Sequence, residues 1–299
     1  MKAKRKRSGI HFAISNMAML NTKTAWLAAT PIEYWMRLAK LCGARIEWFP
    51  LSWKAVPTIQ LATGLVNRPL LREGISSFHQ SYLYETSLPW ALESHQKNKA
   101  ALPSYLALQH RFVSMRSIIE MQRRYFKNKL PVVHYFPEKF QFSSFPQRVQ
   151  IIQQILDEED ITSVFELKVW ARKKGVRFVY DTNHSRNLSL GDWRTVIHDA
   201  IDMIEEIHIR TGAYVAGKTD EQLMTSRDET FDIFRGVFAS ELTHILQLFK
   251  QLNWHGLVTI EVPTEELLTV SGEKATVITP ERFVDLHSAF IRQIRVALT

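Results

Sequence analysis

Eight short apolar segments recur along the 299-residue chain, and most are separated by stretches with the periodicity of amphipathic helices. Several are apolar almost throughout, which is typical of strands buried on both faces of a parallel sheet. Parallel neighbours need a long crossover connection, usually a helix, so this alternation predicts an α/β fold. The predicted strands lie at 9–15, 44–51, 73–82, 130–138, 147–153, 176–181, 205–212 and 257–263.

Eight strands with intervening helices predict a (β/α)8 TIM barrel, formed as a single domain by residues 9–299. The helix predicted at 162–175 has the expected signals at its ends, with Ser163 as N-cap, Glu166 as capping-box partner and Gly175 as stop. Only about eight residues, without helical character, separate the fourth and fifth strands. We therefore expect an irregular, extended connection between strands four and five.

Positive charge is concentrated at the start of the chain. The net charge is +8, and five positive charges lie within the first seven residues: Lys2, Lys4, Arg5, Lys6 and Arg7. Residues 1–8 are therefore predicted to form a disordered basic tail. Such a tail is either simply solvated or able to contact nucleic acid or anionic lipid.

The cysteine count and the hydropathy bear on where in the cell the protein is expected to lie. Cys42 is the single cysteine, which excludes an intramolecular disulfide and fits a reducing compartment, so a cytoplasmic location is expected. No apolar run approaches the length of about 18 residues that suggests a transmembrane helix, and no membrane association is predicted.

Ionisable side chains recur in six of the predicted strands, most of them late in the strand or just beyond it. In such barrels the active site lies at the carboxyl ends of the strands, so these groups are predicted to meet at one rim. Histidine, aspartate and glutamate together suit a divalent ion such as Zn²⁺, Mn²⁺ or Mg²⁺. The residues are Glu47, His79, His134, Asp181, His184, His208, Arg210 and Glu261.

Each of these residues also has a purely structural interpretation. A lone histidine in a strand is often a hydrogen-bonded core residue, and an acid at a strand end often caps a helix or forms a turn. The sequence Asp181–Thr182–Asn183 in particular is good turn chemistry. The repetition of such residues at the same end of several strands is what favours a functional site.

The order of these segments resembles that of the xylose-isomerase-like TIM barrels. This superfamily includes sugar isomerases and epimerases and the endonuclease-IV-type AP endonucleases. The matching pieces are "ARIEWFPL", "GISSFHQS", "PVVHYFPE", "FVYDTNH", "EEIHIR" and "WHGLVTIEV", and they cover roughly residues 9–299. The most specific piece is the D-x-x-H of strand six, followed by the strand-seven histidine and by "GLVTIEV" at strand eight.

The resemblance implies a divalent-metal site. In the sugar epimerases the metal is held by a strand-five Glu, the strand-six Asp, a strand-seven His and the strand-eight Glu, and the last three correspond to Asp181, His208 and Glu261. Glu261 is then also the candidate catalytic base. His184 matches the substrate-binding histidine of D-x-x-H, and Arg210 approximates a substrate-binding arginine.

Further positions are implied less directly. In the endonuclease branch the histidines that match His79 and His134 are metal ligands as well. In a sugar enzyme we expect His79, His134 and Glu47 to contact the substrate.

The chain departs from both branches. Strand five offers Gln150 or Gln153 where the epimerases have glutamate, and a glutamine can donate a carbonyl oxygen to a metal but cannot carry a proton. The acidic residues 157–160 are interpreted either as a substitute or as a solvated turn before the next helix. The D-x-H that the endonuclease branch places after strand seven is absent, which disfavours AP-endonuclease activity.

Three functions remain open at this point. The first is a metal-dependent isomerase or epimerase acting on a small carbohydrate or related polyol. The second is a barrel that has lost catalysis and serves as a binding protein, and the third is a DNA-repair nuclease with nucleic acid as its partner. The sequence also leaves open whether the chain forms a homo-oligomer.

Overall fold

The chain folds around a parallel β-sheet. The structure, a computed structural model, describes residues 9–19, 22–48, 60, 68–79, 131–133, 147–185, 188–210 and 237–299. Each of the eight predicted strands overlaps one that is observed. These are β1 His11–Ser15, β2 Arg45–Trp48, β3 Ile75–His79, β4 Pro131–Val133, β5 Gln147–Gln150, β6 Val176–Asp181, β7 Ile204–Ile209 and β8 Leu257–Ile260.

The eight strands form a closed ring in chain order. Each strand pairs in parallel with the next, and β8 pairs with β1 through a register that runs from His11–Leu257 to Ile14–Ile260. The connections after β3 and β4, including the predicted irregular one, lie largely outside the described residues, as does the tail 1–8. The closed parallel sheet is thus observed, and the complete alternation of eight strands with eight helices stays a prediction.

Helices occupy the connections that the structure describes. They are α1 Asn16–Met19, α2 Ile32–Leu41, α3 Arg68–Gly74, α4 Gln153–Glu158, α5 Val164–Lys174, α6 Trp193–Ala200, α7 Val237–Gln251, α8 Thr264–Val270 and α9 Pro280–Leu298, together with a 3₁₀ segment at Thr22–Ala29. None of the helices in this part of the chain is long and apolar enough to cross a membrane.

The helix α5 begins and ends where the sequence predicts. The Ser163 hydroxyl accepts a hydrogen bond from the Glu166 amide at 3.2 Å, and Gly175 ends the helix in the left-handed conformation at φ +70°. The Glu166 carboxylate accepts from the backbone and hydroxyl of Thr162, one residue before the N-cap. These hydrogen bonds lower the pKa of Glu166 below its ordinary value.

The acidic segment 157–160 does not form the predicted turn throughout. Asp157 and Glu158 belong to helix α4, where each accepts a hydrogen bond of 2.7 Å from the glutamine four residues earlier. Both side chains are exposed, so neither takes the place of a strand-five carboxylate. The prediction of a turn was wrong here because these local glutamine–acid pairs favour a helix.

The two faces of the barrel wall differ sharply in polarity. Side chains alternate along each strand, and the outward ones pack against the helices as a buried apolar layer that includes Phe178, Tyr180, Ile207 and Ile209. The inward ones are mostly polar and almost all buried, and they include Ala13, Ser15, Glu47, Ser77, His79, Val132, Arg148, Gln150, Val179, Asp181, Glu206, His208, Leu257, Thr259 and Glu261. Barrel interiors are usually filled by branched apolar residues, so this interior requires another explanation.

His287 is a buried, neutral histidine that holds the Thr264 hydroxyl, which in turn bonds the chain near β1. The Thr264 hydroxyl donates to the Ala18 carbonyl at 2.8 Å and lies 3.0 Å from His287 Nε2. Because a hydroxyl has a single proton to donate, His287 must donate its Nε2–H to Thr264, and Nδ1 is then unprotonated. Burial lowers the pKa of His287 to about 3.

We predict that His287 makes folding sensitive to mild acid. Above pH ~6.5 the residue is neutral in both the folded and the unfolded chain. Below that pH the unfolded chain takes up a proton that the folded chain refuses until about pH 3, so stability is lost progressively as the pH falls. Denaturant unfolding of the wild type and His287→Leu should show the wild type losing ~2 kcal/mol relative to the variant between pH 6.5 and 5. Parallel pH profiles would contradict this assignment.

Candidate functional site

The centre of the barrel interior is His208, which is fully buried and has acidic neighbours at both ring nitrogens. Nδ1 lies 3.3 Å from Glu261 Oε1 and 3.1 Å from the Gln150 amide nitrogen. Nε2 lies 3.3 Å from Glu47 Oε2 and 3.3 Å from Glu206 Oε1. The imidazole therefore separates an upper group, on the Nδ1 side, from a lower group, on the Nε2 side.

The upper group lies toward the carboxyl ends of the strands. The Gln150 amide nitrogen donates to Asp181 Oδ2 at 3.2 Å. The Arg210 guanidinium contacts Glu261 Oε2 and lies 3.6 Å from the same Asp181 oxygen. The ring of His79 stacks at an angle against His208, with 5.6 Å between the ring centroids.

The two oxygens of Asp181 have different surroundings. Oδ1 accepts the backbone N–H groups of Asn183 at 2.7 Å and His184 at 2.8 Å, which forms the turn after β6. Oδ2 faces Gln150 and Arg210 inside the barrel. The turn predicted from the sequence is confirmed. The second oxygen of the same carboxylate contacts residues of the upper group.

The lower group is a set of mutually supporting hydrogen bonds. Glu206 accepts from Arg148 Nη1 at 2.6 Å and from the Thr259 hydroxyl at 2.6 Å. Glu47 accepts from the Ser77 hydroxyl at 3.1 Å. All these side chains except Arg148 are fully buried, so their polar groups depend on each other and not on water.

The charges in this interior shift each other's pKa values. For His208, burial acts to lower the pKa, but the charges of Glu261 and Glu47 outweigh it and raise the pKa well above its ordinary value. For Glu261, burial acts to raise the pKa, but Arg210 and His208 hold it well below the usual range. Burial likewise opposes ionisation of Glu206, while Arg148 and His208 lower its pKa to about 2.

Two sets of potential metal ligands share His208. His79, His208 and Glu261 each offer one ligand atom, and these atoms lie within 4.8 Å of one another, as do atoms of Glu47, Glu206 and His208. In the second set Glu206 is already neutralised by Arg148 and hydrogen-bonded by Thr259. The first set shares the neighbours Gln150 and Arg210 with Asp181 Oδ2 and lies nearer the rim, so it is the better candidate for a cation.

The structure brings most of the sequence-predicted residues together and places the others elsewhere. The barrel interior brings together Glu47, His79, Gln150, Asp181, His208, Arg210 and Glu261. Within this interior, Glu47 lies on the far side of His208 from the rim. His184 is half-buried in the turn after β6. Gln153 lies in helix α4, where it bonds Asp157 and Ser189, and His134 lies outside the described residues.

Sequence reasoning missed four members of the site, namely Ser77, Arg148, Glu206 and Thr259. Each of them stands two residues before a predicted site residue: His79, Gln150, His208 and Glu261 respectively. Because strand side chains repeat their direction every second residue, all four had to face the same interior. That period-two relation was the signal that could have found them.

We predict that the two roles of Asp181 separate in two substitutions. Asp181→Ala removes the acceptor of two backbone N–H groups and should lower the free energy of unfolding by roughly 1–3 kcal/mol. Asp181→Asn retains an oxygen that can accept from those N–H groups, so its free energy of unfolding should fall clearly less. Denaturant unfolding measures both values, and an equal loss in the two variants would contradict the turn-forming role of Oδ1.

Comparison with known proteins identifies the architecture. No protein-family model matches this chain, and no curated protein matches it. Among solved structures it is similar to D-psicose 3-epimerase from Clostridium cellulolyticum H10, solved with D-tagatose, at 11% identity and a TM-score of 0.50, over 96% of this chain and 99% of that chain.

Two further solved structures match with lower TM-scores. An L-ribulose 3-epimerase is 12% identical over 97% of this chain and 94% of its own, and a xylose isomerase domain containing protein from Salmonella typhimurium LT2 is 14% identical over 97% of both, each with a TM-score of 0.46. The similarity to D-psicose 3-epimerase confirms, as one of architecture, the resemblance seen in the sequence. The described part of the chain has the fold of D-psicose 3-epimerase.

Proposed function

We propose that the chain is a divalent-metal-dependent sugar isomerase or epimerase that acts on a small carbohydrate at the carboxyl ends of its strands. The observation that carries this proposal is the cluster of His79, His208 and Glu261, whose potential ligand atoms lie within 4.8 Å of one another inside the barrel. Asp181 Oδ2 is linked to this cluster through Gln150 and Arg210. The proposal places them at the end of the barrel where enzymes of this architecture bind their substrates. We further propose that residues 9–299 form one complete (β/α)8 domain.

The donor set fits a divalent cation. Among the described interior residues, four carboxylates face two arginines and His208, whose raised pKa favours its protonated form, which leaves one negative charge. A bound cation would replace the proton of His208. The carbonyl oxygen of Gln150 is also buried without a hydrogen-bond partner in the described part of the chain. His79, His208, Asp181 and Glu261 would hold the ion, with Zn²⁺, Mn²⁺ or Mg²⁺ as candidates.

When bound, the ion would polarise a carbonyl or hydroxyl oxygen of the substrate. Glu261 is ionised at neutral pH, because Arg210 and His208 hold its pKa low, and it is the proposed base. Arg210, which is partly exposed, would orient a hydroxyl or charged group, and His184 would contact the substrate from the turn after β6.

Gln150 restricts the proton chemistry. An amide neither takes up nor releases a proton near neutral pH, so Glu261 is the proposed proton carrier among the described residues. A single carrier suits a 1,2-transfer, in which the same group removes and returns the proton on one face of the substrate. We therefore expect interconversion of aldose and ketose partners in preference to inversion at one carbon.

Metal analysis tests the proposed site. The wild type should hold about one divalent ion per chain, and Asp181→Asn and Glu261→Gln should each lose most of it, because each removes a charged ligand. Glu281→Gln, an equivalent change on an exposed helix position, serves as the control. Equal metal content in all four proteins, measured by atomic emission, would refute the ligand assignment.

Gln150 is also the observation that favours the second candidate, a barrel that binds a small carbohydrate without turning it over. A panel of aldose–ketose pairs and epimer pairs, assayed with Zn²⁺, Mn²⁺ and Mg²⁺ in turn, distinguishes the two. Turnover lost in Glu261→Gln supports the enzyme. Calorimetric sugar binding without turnover in the wild type supports the binding protein.

A further inference from the structure

The lower group of the barrel interior has no role in the proposed chemistry, yet it is costly to bury. Glu206 is fully buried, and a buried carboxylate is unfavourable unless it is paired and hydrogen-bonded. Arg148 and Thr259 supply that compensation from strands β5 and β8. Three strands thus hold one carboxylate in place directly below His208.

The surroundings of His208 Nε2 determine where its proton lies. Its two neighbours at 3.3 Å are Glu206 Oε1 and Glu47 Oε2. Each of these oxygens already accepts a hydroxyl proton, from Thr259 and from Ser77 respectively, so both act as acceptors. Nε2 must therefore carry the proton, whether or not Nδ1 is protonated as well.

The opposite ring nitrogen is turned toward the upper group. Nδ1 faces Gln150 and Glu261, and rotation of the Gln150 amide by a half-turn lets it serve either a protonated or an unprotonated Nδ1. A histidine that ligates a metal commonly donates its other N–H to a carboxylate, which fixes the orientation of the ring. Glu206 and Glu47 stand at the position that such a partner requires.

We propose that Glu206 is a positioning residue for His208, an inference that rests on the proposed function. It accepts the Nε2–H of His208 and thereby presents Nδ1 to the upper group as the metal-ligating atom. Arg148 and Thr259 hold its two oxygens, so the carboxylate cannot turn away from the imidazole. Glu47 contributes less, because its Oε1 has no hydrogen-bond partner in the described part of the chain.

A simpler role would be purely structural, with the Arg148–Glu206 pair only linking strands. Glu205 provides a matched control for that alternative. It also pairs with Arg148, at 3.6 Å, and with Arg177, at 3.0 Å, but its partners in the described chain do not include His208. Glu205→Gln and Glu206→Gln therefore each remove one carboxylate from Arg148, and only the second changes the partner of the imidazole.

The test combines a metal titration with imidazole spectroscopy on the full-length protein. Zn²⁺ alone, competed against a fluorescent chelator, should bind Glu206→Gln about 10- to 100-fold more weakly than the wild type, and Glu205→Gln like the wild type. Nitrogen-15 spectra, assigned by loss of the signal in His208→Gln, should show a protonated Nε2 in the wild type. In Glu206→Gln that N–H signal should move upfield, because a neutral amide is a weaker acceptor than a carboxylate.

Each outcome decides one question. An unprotonated Nε2 in the wild type, or an unchanged Nε2–H signal in Glu206→Gln, overturns the positioning role even if Zn²⁺ binds. Absence of Zn²⁺ binding in the wild type defeats the proposed metal function, while the spectra still decide the orientation of His208. If Glu206→Gln does not fold, Thr259→Val should weaken Zn²⁺ binding about fivefold, as expected for one lost hydrogen bond, and unchanged binding would overturn the proposal.

Discussion

The excess of negative charge inside the barrel is the constraint on which the rest of the structure depends. An interior of branched apolar side chains would be stable without further arrangement, whereas buried carboxylates require a cation or a hydrogen-bond donor for almost every oxygen. Arg148 and Arg210 approach from two strands to meet that demand, and His208 lies between them. The apolar layer outside the sheet then supplies the stability that the interior does not.

The strands were predictable because short, largely apolar segments alternate with segments of helical periodicity. The same alternation predicted that Asp181 and Glu261 lie at the carboxyl ends of their strands. Helix α3 was not predictable from the sequence, because "RPLLREG" is too short to establish a helical period and contains both proline and glycine. The pairing of Arg148 with Glu206 also escaped prediction. It depends on the stagger between β5 and β7, which are not neighbours in the sheet, and no local pattern encodes that stagger.

The strand-six motif shows why a sequence supports two interpretations at once. Asp181 was a candidate turn residue and a candidate ligand, and the carboxylate has one oxygen for each role. Asparagine or serine could form such a turn equally well, but neither would add charge to the interior. The choice of an acid at this position is therefore explained by the barrel interior and not by the turn.

The closure of β8 onto β1 has a consequence for synthesis. The hydrogen bond from Thr264 to Ala18 spans 246 residues, and Glu261 lies just beyond the last strand of the ring. Such remote contacts form late, because the intervening chain must first be ordered. A nascent chain on the ribosome therefore has the histidines and arginines of the site before it has the strand that unites them. The cluster of charged side chains inside the barrel is therefore complete only after residue 261 has been synthesised.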